Sequence, residues 1–193
     1  MSLSADPQPG RGIRVVAVIG AGQAGREFAM ACAGSGFYVV IEDVMPANLR
    51  RAEADYTDLS RGGGYGELEL ASTVEDAVRE ADIAVDFVPD ELESKLEIFS
   101  MIDRMAPPKT ILCTPSMALS ITDLASCVYR PERCLAVQGR IAAGETVRLV
   151  YPPAVNEAAL LEVTGFLKRL GVRPELMPDP MSSVLTKNTA RRP

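Results

Sequence analysis

Short β-branched apolar runs alternate with stretches of helical periodicity along nearly the whole chain. The runs predict strands over Val15–Ile19, Val39–Glu42, Leu68–Leu70, Ile83–Val88, Thr110–Cys113, Arg133–Val137, Thr146–Tyr151 and Val172–Leu176. Helical patterns fall between most of them, over Gln23–Ala33, Pro46–Tyr56, Val74–Glu80, Glu91–Met105, Ile121–Val128 and Asn156–Leu170. Thr73-Val74-Glu75-Asp76 and Ser120-Ile121-Thr122-Asp123 resemble capping boxes with Asp for the usual Glu, each opening an apolar helical run. Gly171 is placed to end the last helix. Alternation of this kind predicts an α/β fold, a doubly wound, mostly parallel sheet with helices on both faces. Its ligand is expected at the carboxyl ends of the strands.

The segment from Arg14 to Asp43 carries the most chemistry. An apolar strand runs into Gly20-Ala21-Gly22-Gln23-Ala24-Gly25, then an alanine-rich helix, then Tyr38-Val39-Val40-Ile41-Glu42-Asp43. Gly20 permits the tight turn, Gly22 leaves room for a pyrophosphate beside the backbone, and Gly25 lets helix and strand pack closely. The helix starts inside the loop, so Ala21, Gln23 and Ala24 contribute to a cradle of free N–H groups at its positive end. Asp43 follows Gly25 by eighteen residues. A carboxylate there accepts hydrogen bonds from the adenosine ribose and repels a 2′-phosphate, which favours NAD over NADP. Glu42 is the rival acid, disfavoured because the crevice opens at the strand's end. The unit as a whole predicts a Rossmann-type dinucleotide-binding domain.

Composition narrows the classes further. A chain of 193 residues suits one domain, and the formal charge is −6. No basic stripe with interleaved aromatics points to nucleic acid, and no apolar run approaches a membrane span. Residues 1–12 and 180–193 are polar and expected as tails around a domain over residues 13–179. No signal-peptide core is seen, and none of Cys32, Cys113, Cys127 and Cys134 forms a CxxC pair, so reduced thiols and a cytoplasmic location are expected. Cys113 is expected as a buried core thiol. With no histidine and no clustered cysteines, a transition-metal site is not expected. Arg61-Gly62-Gly63-Gly64-Tyr65-Gly66 reads as a flexible linker.

Two later motifs resemble the NAD-binding domain of the 3-hydroxyacyl-CoA dehydrogenase family. They are Ala81-Asp82-Ile83-Ala84-Val85-Asp86-Phe87-Val88-Pro89-Asp90, and Leu119-Ser120-Ile121-Thr122-Asp123-Leu124-Ala125 followed by Arg130-Pro131-Glu132-Arg133. The resemblance spans about residues 13 to 180. It implies NAD as cofactor, with Gly20, Gly22 and Gly25 as the family's glycines and Asp43 as its ribose acid. It further implies that Val88, Pro89 and Asp90 line the nicotinamide-side ribose and that Lys95 contacts the cofactor.

The chemistry departs from the family's pattern. The resemblance puts Gln138 at the general-base histidine, Tyr151 at the glutamate that orients it, and Met117 at the substrate-contacting serine, with Ser116 the remaining hydroxyl. A glutamine has no proton to exchange near neutral pH. The family's coenzyme A-gripping helical hairpin has only Thr57–Glu67 in its place, and its C-terminal helical domain has no counterpart here. A coenzyme A thioester is therefore disfavoured as a ligand.

Three readings stay open. The first is an NAD(H)-binding accessory or regulatory protein without hydroxyacyl-CoA dehydrogenase activity. The second is an active NAD-dependent oxidoreductase with altered catalytic groups, drawn from Tyr151, Arg140, Lys95 and Ser116, acting on a small hydroxy or carbonyl compound. The third is the cofactor half of a two-chain dehydrogenase. The family's biology points to fatty acid metabolism. Self-association is expected through Thr146–Tyr151 and the last helix.

Overall fold

The computed structural model describes residues 12–63 and 65–180. Eight strands form one sheet: β1 (Val15–Ile19), β2 (Tyr38–Glu42), β3 (Leu68–Ala71), β4 (Ile83–Asp86), β5 (Ile111–Thr114), β6 (Cys134–Gln138), β7 (Thr146–Tyr151) and β8 (Arg173–Pro178). Six α-helices connect them: α1 (Gln23–Gly34), α2 (Pro46–Ser60), α3 (Val74–Val78), α4 (Leu92–Met105), α5 (Ile121–Ala125) and α6 (Glu157–Arg169). The spatial order is β3-β2-β1-β4-β5-β6-β7-β8, and every neighbouring pair is parallel except β6 with β7. This is the Rossmann-type α/β architecture expected. From β1 the chain winds first to β2 and β3, then crosses back to β4. The strand order therefore reverses at β1 and β4, and a crevice opens beyond their carboxyl ends.

The two faces of the sheet carry separate cores. Val16, Val18, Val39 and Ile41 pack under α1 and α6, with Phe37 edge-on to Phe166 at 5.0 Å. Ala17, Ile19, Val40 and Ala84 pack under α3, α4 and α5, around Phe99 and Leu124. The central strands are buried on both sides, which explains why they read as continuous apolar runs rather than alternating ones. The described residues contain no further helical domain.

The caps form largely as expected. Thr73 accepts from the Asp76 N–H at 3.1 Å, Ser120 from the Asp123 N–H at 3.2 Å, and Asn156 caps α6. The distinctive Leu119 and Arg130 motifs prove structural. Asp179 Oδ2 accepts from the Ser120 hydroxyl and from the Thr122 N–H and hydroxyl, tying β8 to the start of α5. Arg130 bonds the Asp103 carboxylate and the carbonyls of Asp103 and Pro107 at the end of α4.

Several expectations are corrected. β4 stops at Asp86, two residues early, where Phe87 leaves the sheet to pack against the glycine turn and line the cavity beside α1. α2 runs one turn further, to Ser60. The linker is anchored at its end: a Cβ on Gly66 would lie 1.9 Å from the Phe37 carbonyl, and the Gly66 carbonyl accepts from the Tyr56 hydroxyl. β7 cannot pair edge to edge with a second copy, since it lies inside the sheet between β6 and β8. β8 is the sheet edge beyond β7, as β3 is at the other end, and the Arg173 and Asp179 N–H groups donate inward to the carbonyls of Glu145 and Tyr151. Successive N–H groups along a strand point to alternate sides, so positions 174, 176 and 178 face outward, and two of the three, Pro174 and Pro178, have no N–H to offer. That blunts strand addition. Residues 1–11 and 181–193, most of the expected tails, lie outside the described residues. No helix among the described residues is long and apolar enough to cross a membrane.

Candidate cofactor site

The glycine loop joins β1 to α1 at the switch point. Gly20 has φ of +102°, a conformation that glycine alone adopts freely, and its N–H donates to the Glu42 carbonyl at 2.9 Å. A Cβ on Gly25 would lie 1.9 Å from the Gly20 carbonyl oxygen, so α1 could not approach the turn with any side chain there. Gly22 is different. Nothing lies within 4 Å of where its Cβ would be, so the space beside it is open. A close-packing glycine next to an open-faced one, at a helix N-terminus, fits a bound pyrophosphate.

The peptide between the first two glycines is held from both sides. The Ala21 N–H donates to Asp43 Oδ2 at 2.8 Å, and the Ala21 carbonyl accepts from Arg26 at 3.1 Å. Arg26 is itself bonded to Asp55 on α2 at 2.9 Å. Asp43 lies just past β2 and accepts three hydrogen bonds, from Ala21, from the Met45 N–H and from the Asn48 side chain. The expected ribose acid thus also organises the loop. Gln23 and Ala24 line the adjoining cavity.

Val88 and Pro89 follow β4 on the way to α4, with Val88 half-buried against the core under α3, α4 and α5. Asp90 is exposed, and its Oδ2 accepts from the Met117 N–H at 3.3 Å, linking the turns after β4 and β5. Lys95 is only 1% exposed, and its Nζ lies 2.6 Å from Oδ1 of Asp86, which is fully buried. Burial drives the Asp86 carboxyl upward, while the Lys95 ammonium opposes that shift. Lys95 is therefore an interior charge beneath the crevice and not a solvated helix residue. Its partner Asp86 was legible only as an acid inside an apolar strand, nine residues before a lysine.

The groups set at the family's catalytic positions do not converge. Gln138 ends β6, and its Nε2 donates to the Ser116 carbonyl at 2.8 Å. Its cross-strand partner is Arg148. Tyr151 lies one residue beyond Val150, which pairs with Ala136, so it sits toward the opposite end of β6. Alternation sends Tyr151 into the α1 and α6 core, on the other face from Gln138. Met117 is half-exposed, and the Ser116 hydroxyl is buried, accepting from the Leu119 N–H at 3.1 Å. Of the four polar groups considered for altered chemistry, Lys95, Ser116 and Tyr151 are thus committed elsewhere. Arg140 alone is exposed, at the rim of a cavity of about 740 Å³. That cavity opens beside α1, with Phe28, Val85, Phe87 and Val137 on its floor.

Two features beside the loop were not anticipated. Phe87 packs against the glycine turn and against Phe28, with ring centroids 5.3 Å apart. Glu42 is 4% exposed, and burial and then the neighbouring Asp43 carboxylate push its carboxyl up to about 7. Cys113 is buried as expected, and burial raises its thiol far out of the reactive range. Among the described residues no group of three or more His, Cys, Asp or Glu could hold a metal ion.

The family described as 3-hydroxyacyl-CoA dehydrogenase, NAD binding domain, matches residues 15–174. The chain belongs to that family. A probable 3-hydroxybutyryl-CoA dehydrogenase of Bacillus subtilis is 30% identical over 174 residues, which is 82% of this chain and 60% of the relative. A 5-formyl-3-hydroxy-2-methylpyridine 4-carboxylate 5-dehydrogenase of Mesorhizobium japonicum is 30% identical over 135 residues, covering 65% of this chain and 44% of the relative. The solved 3-hydroxyacyl-CoA dehydrogenase of Archaeoglobus fulgidus superposes with a TM-score of 0.75 at 26% identity, over 92% of this chain and 60% of that one. This chain therefore spans roughly half to three-fifths of the length of such relatives. Membership makes it an NAD-binding domain of an oxidoreductase family, and the glycine geometry fits that cofactor.

Proposed function

We propose that the chain binds NAD(H) through the glycine loop, Asp43 and the Val88–Asp90 turn, and that it lacks hydroxyacyl-CoA dehydrogenase activity of its own. The observation that carries this reading is Gln138. It stands where the resemblance puts the general base, in a chain without histidine, and its amide is already bonded to the Ser116 carbonyl. The Gln138 amide itself neither gives nor takes a proton near neutral pH. The role is accessory or regulatory, close to fatty acid metabolism, as the names of the coenzyme A-dependent relatives suggest. NAD and NADH titrations by calorimetry, together with a single-turnover acetoacetyl-CoA reduction assay, test the reading. Micromolar NADH binding with no NADH oxidation supports it. Reduction at rates typical of enzymes overturns it.

One observation favours a second reading, an oxidoreductase for a small hydroxy or carbonyl compound. The cavity beside α1 shares Gln23 and Ala24 with the loop and carries an exposed guanidinium, Arg140, over an apolar floor. Such a site suits a small carboxylate with an apolar body, and one relative is named for a pyridine carboxylate. Screening small hydroxy acids for NAD reduction separates the two readings.

A further inference from the structure

Glu42 occupies a position its chemistry does not suit. It is the last residue of β2, its own carbonyl holds Gly20, and the next residue is Asp43. Its side chain turns to the face of Ile19 and Ala71, both apolar and buried. The residue is 4% exposed, yet among the described residues no hydrogen bond or ion pair reaches the carboxyl. Neither oxygen is among the sealed, partnerless polar atoms, so the carboxyl keeps a narrow contact with solvent. The residue's own carbonyl holds Gly20 of the glycine loop, where the adenosine half of the cofactor is expected.

We infer that Glu42 couples dinucleotide binding to uptake of a proton. The inference rests on the NAD-binding reading of the loop and Asp43. A ligand covering this end of the crevice removes the last water from the carboxyl, and an ionised carboxylate without a hydrogen-bond donor is costly to enclose. The neutral acid is the form that stays in the complex.

One interior cation shares this face: Lys95 is bonded to Asp86, which like Glu42 pairs with Ile19 in the sheet, so its charge is matched there rather than at Glu42. Asp43 acts on it repulsively from its own strand. On β3, Glu69 is bonded to the Tyr38 hydroxyl. On α3, Asp76 is paired with Arg79, and Glu75 is exposed. Arg26 and Glu27 on α1, and Arg50, Arg51, Glu53 and Asp55 on α2, belong to the layer on the opposite face, with Arg26 bonded to Asp55. Burial, and then the Asp43 carboxylate, push this carboxyl up to about 7. The chain has no histidine to confuse the signal, and NAD has no group that titrates between pH 6 and 8.

The test is isothermal titration of the full chain with NAD, and with ADP-ribose as the adenosine-side probe, from pH 6 to pH 8 in buffers of different ionisation enthalpy. The expected result is a Kd roughly tenfold weaker at pH 8 than at pH 6, with net uptake approaching one proton at the alkaline end. Both ligands should show it, and Glu42→Gln should abolish it. The wild-type proton count does not depend on the variant folding. A wild-type Kd constant within about twofold, or a pH dependence retained in a folded Glu42→Gln protein, overturns the inference alone. Absence of NAD binding at every pH overturns the NAD-site reading together with it.

Discussion

Gly22 and Gly25 are three residues apart in one loop, and their replacement by alanine should fail in opposite ways. At Gly25 the new Cβ would stand 1.9 Å from the Gly20 carbonyl oxygen. Contacts below 3.0 Å do not persist, so helix or turn must retreat by about 1 Å or more. A contact this short, to a backbone oxygen, puts the overpacking cost at the upper end of the usual range, about 3 kcal/mol, of which the roughly 1 kcal/mol that alanine gains over glycine in a helix offsets a third. For a domain of this size each kcal/mol moves Tm by about 2–4 °C, so Gly25→Ala should melt several degrees lower. At Gly22 the Cβ meets nothing within 4 Å, and φ of −62° with ψ of −179° suits alanine. Reduced freedom of the unfolded chain should leave Tm unchanged or raise it slightly, by about 0.4–1 kcal/mol in stability. The open space at Gly22 is where a pyrophosphate approaches the backbone. Blocking it forfeits charge-assisted hydrogen bonds worth about 1.5–3 kcal/mol, or roughly 10- to 100-fold in NAD affinity. Thermal melts with and without NAD read both effects, because saturation at about 100 Kd raises stability by about 2.7 kcal/mol. Gly22→Ala should melt like wild type and lose most of the NAD shift. If it keeps the full shift, the pyrophosphate does not lie over Gly22. If Gly25→Ala is as stable as wild type, the close approach of α1 to the turn is wrong.

Other perturbations probe the same end of the sheet. Glu42→Gln should flatten the pH dependence of stability. The folded-state carboxyl is raised from 4.5 to about 7, so the native state binds the extra proton and wild-type stability falls as pH rises through that window, by at most about 3 kcal/mol. Urea midpoints from pH 4.5 to 8 measure this, and parallel curves for the two proteins would refute it. Lys95→Met should cost about 3–5 kcal/mol by leaving the Asp86 charge buried and unpaired, whereas adding Asp86→Leu should recover much of the loss. A double-mutant coupling below about 1 kcal/mol in denaturant titrations would argue against that pair. Arg130→Ala should destabilise the fold by about 2–4 kcal/mol through the lost bonds to Asp103 and the α4 carbonyls, while NAD affinity stays within twofold. A selective loss of NAD binding would place Arg130 in the site.

The readable features were those encoded over short stretches. Thr73 caps α3 and Ser120 caps α5 because each side chain bonds a backbone N–H three residues on, a distance fixed by helix geometry. The turn at Gly20 and the tight packing at Gly25 depend on neighbours within a few residues or on the strand just before. Strand ends were less legible. β4 yields at Asp86 and β8 persists through Pro178, because pairing with neighbours distant in the chain decides where a strand stops. Tyr151 shows the same limit more sharply. Resemblance set it beside Gln138, yet the antiparallel register of β6 with β7 places the two at different levels and on opposite faces.

By itself, then, the order of apolar runs, glycines and acids determined a doubly wound NAD-binding fold, since each unit is formed by local geometry and closes on its neighbour in sequence. Tertiary structure alone decided the state of the charged groups around the crevice. Lys95 turned inward to Asp86, Ser116 was buried, and Glu42 was enclosed without a partner. Charge and reactivity depend on burial, which is set by packing against elements distant in the chain, and no spacing along the chain carries that information.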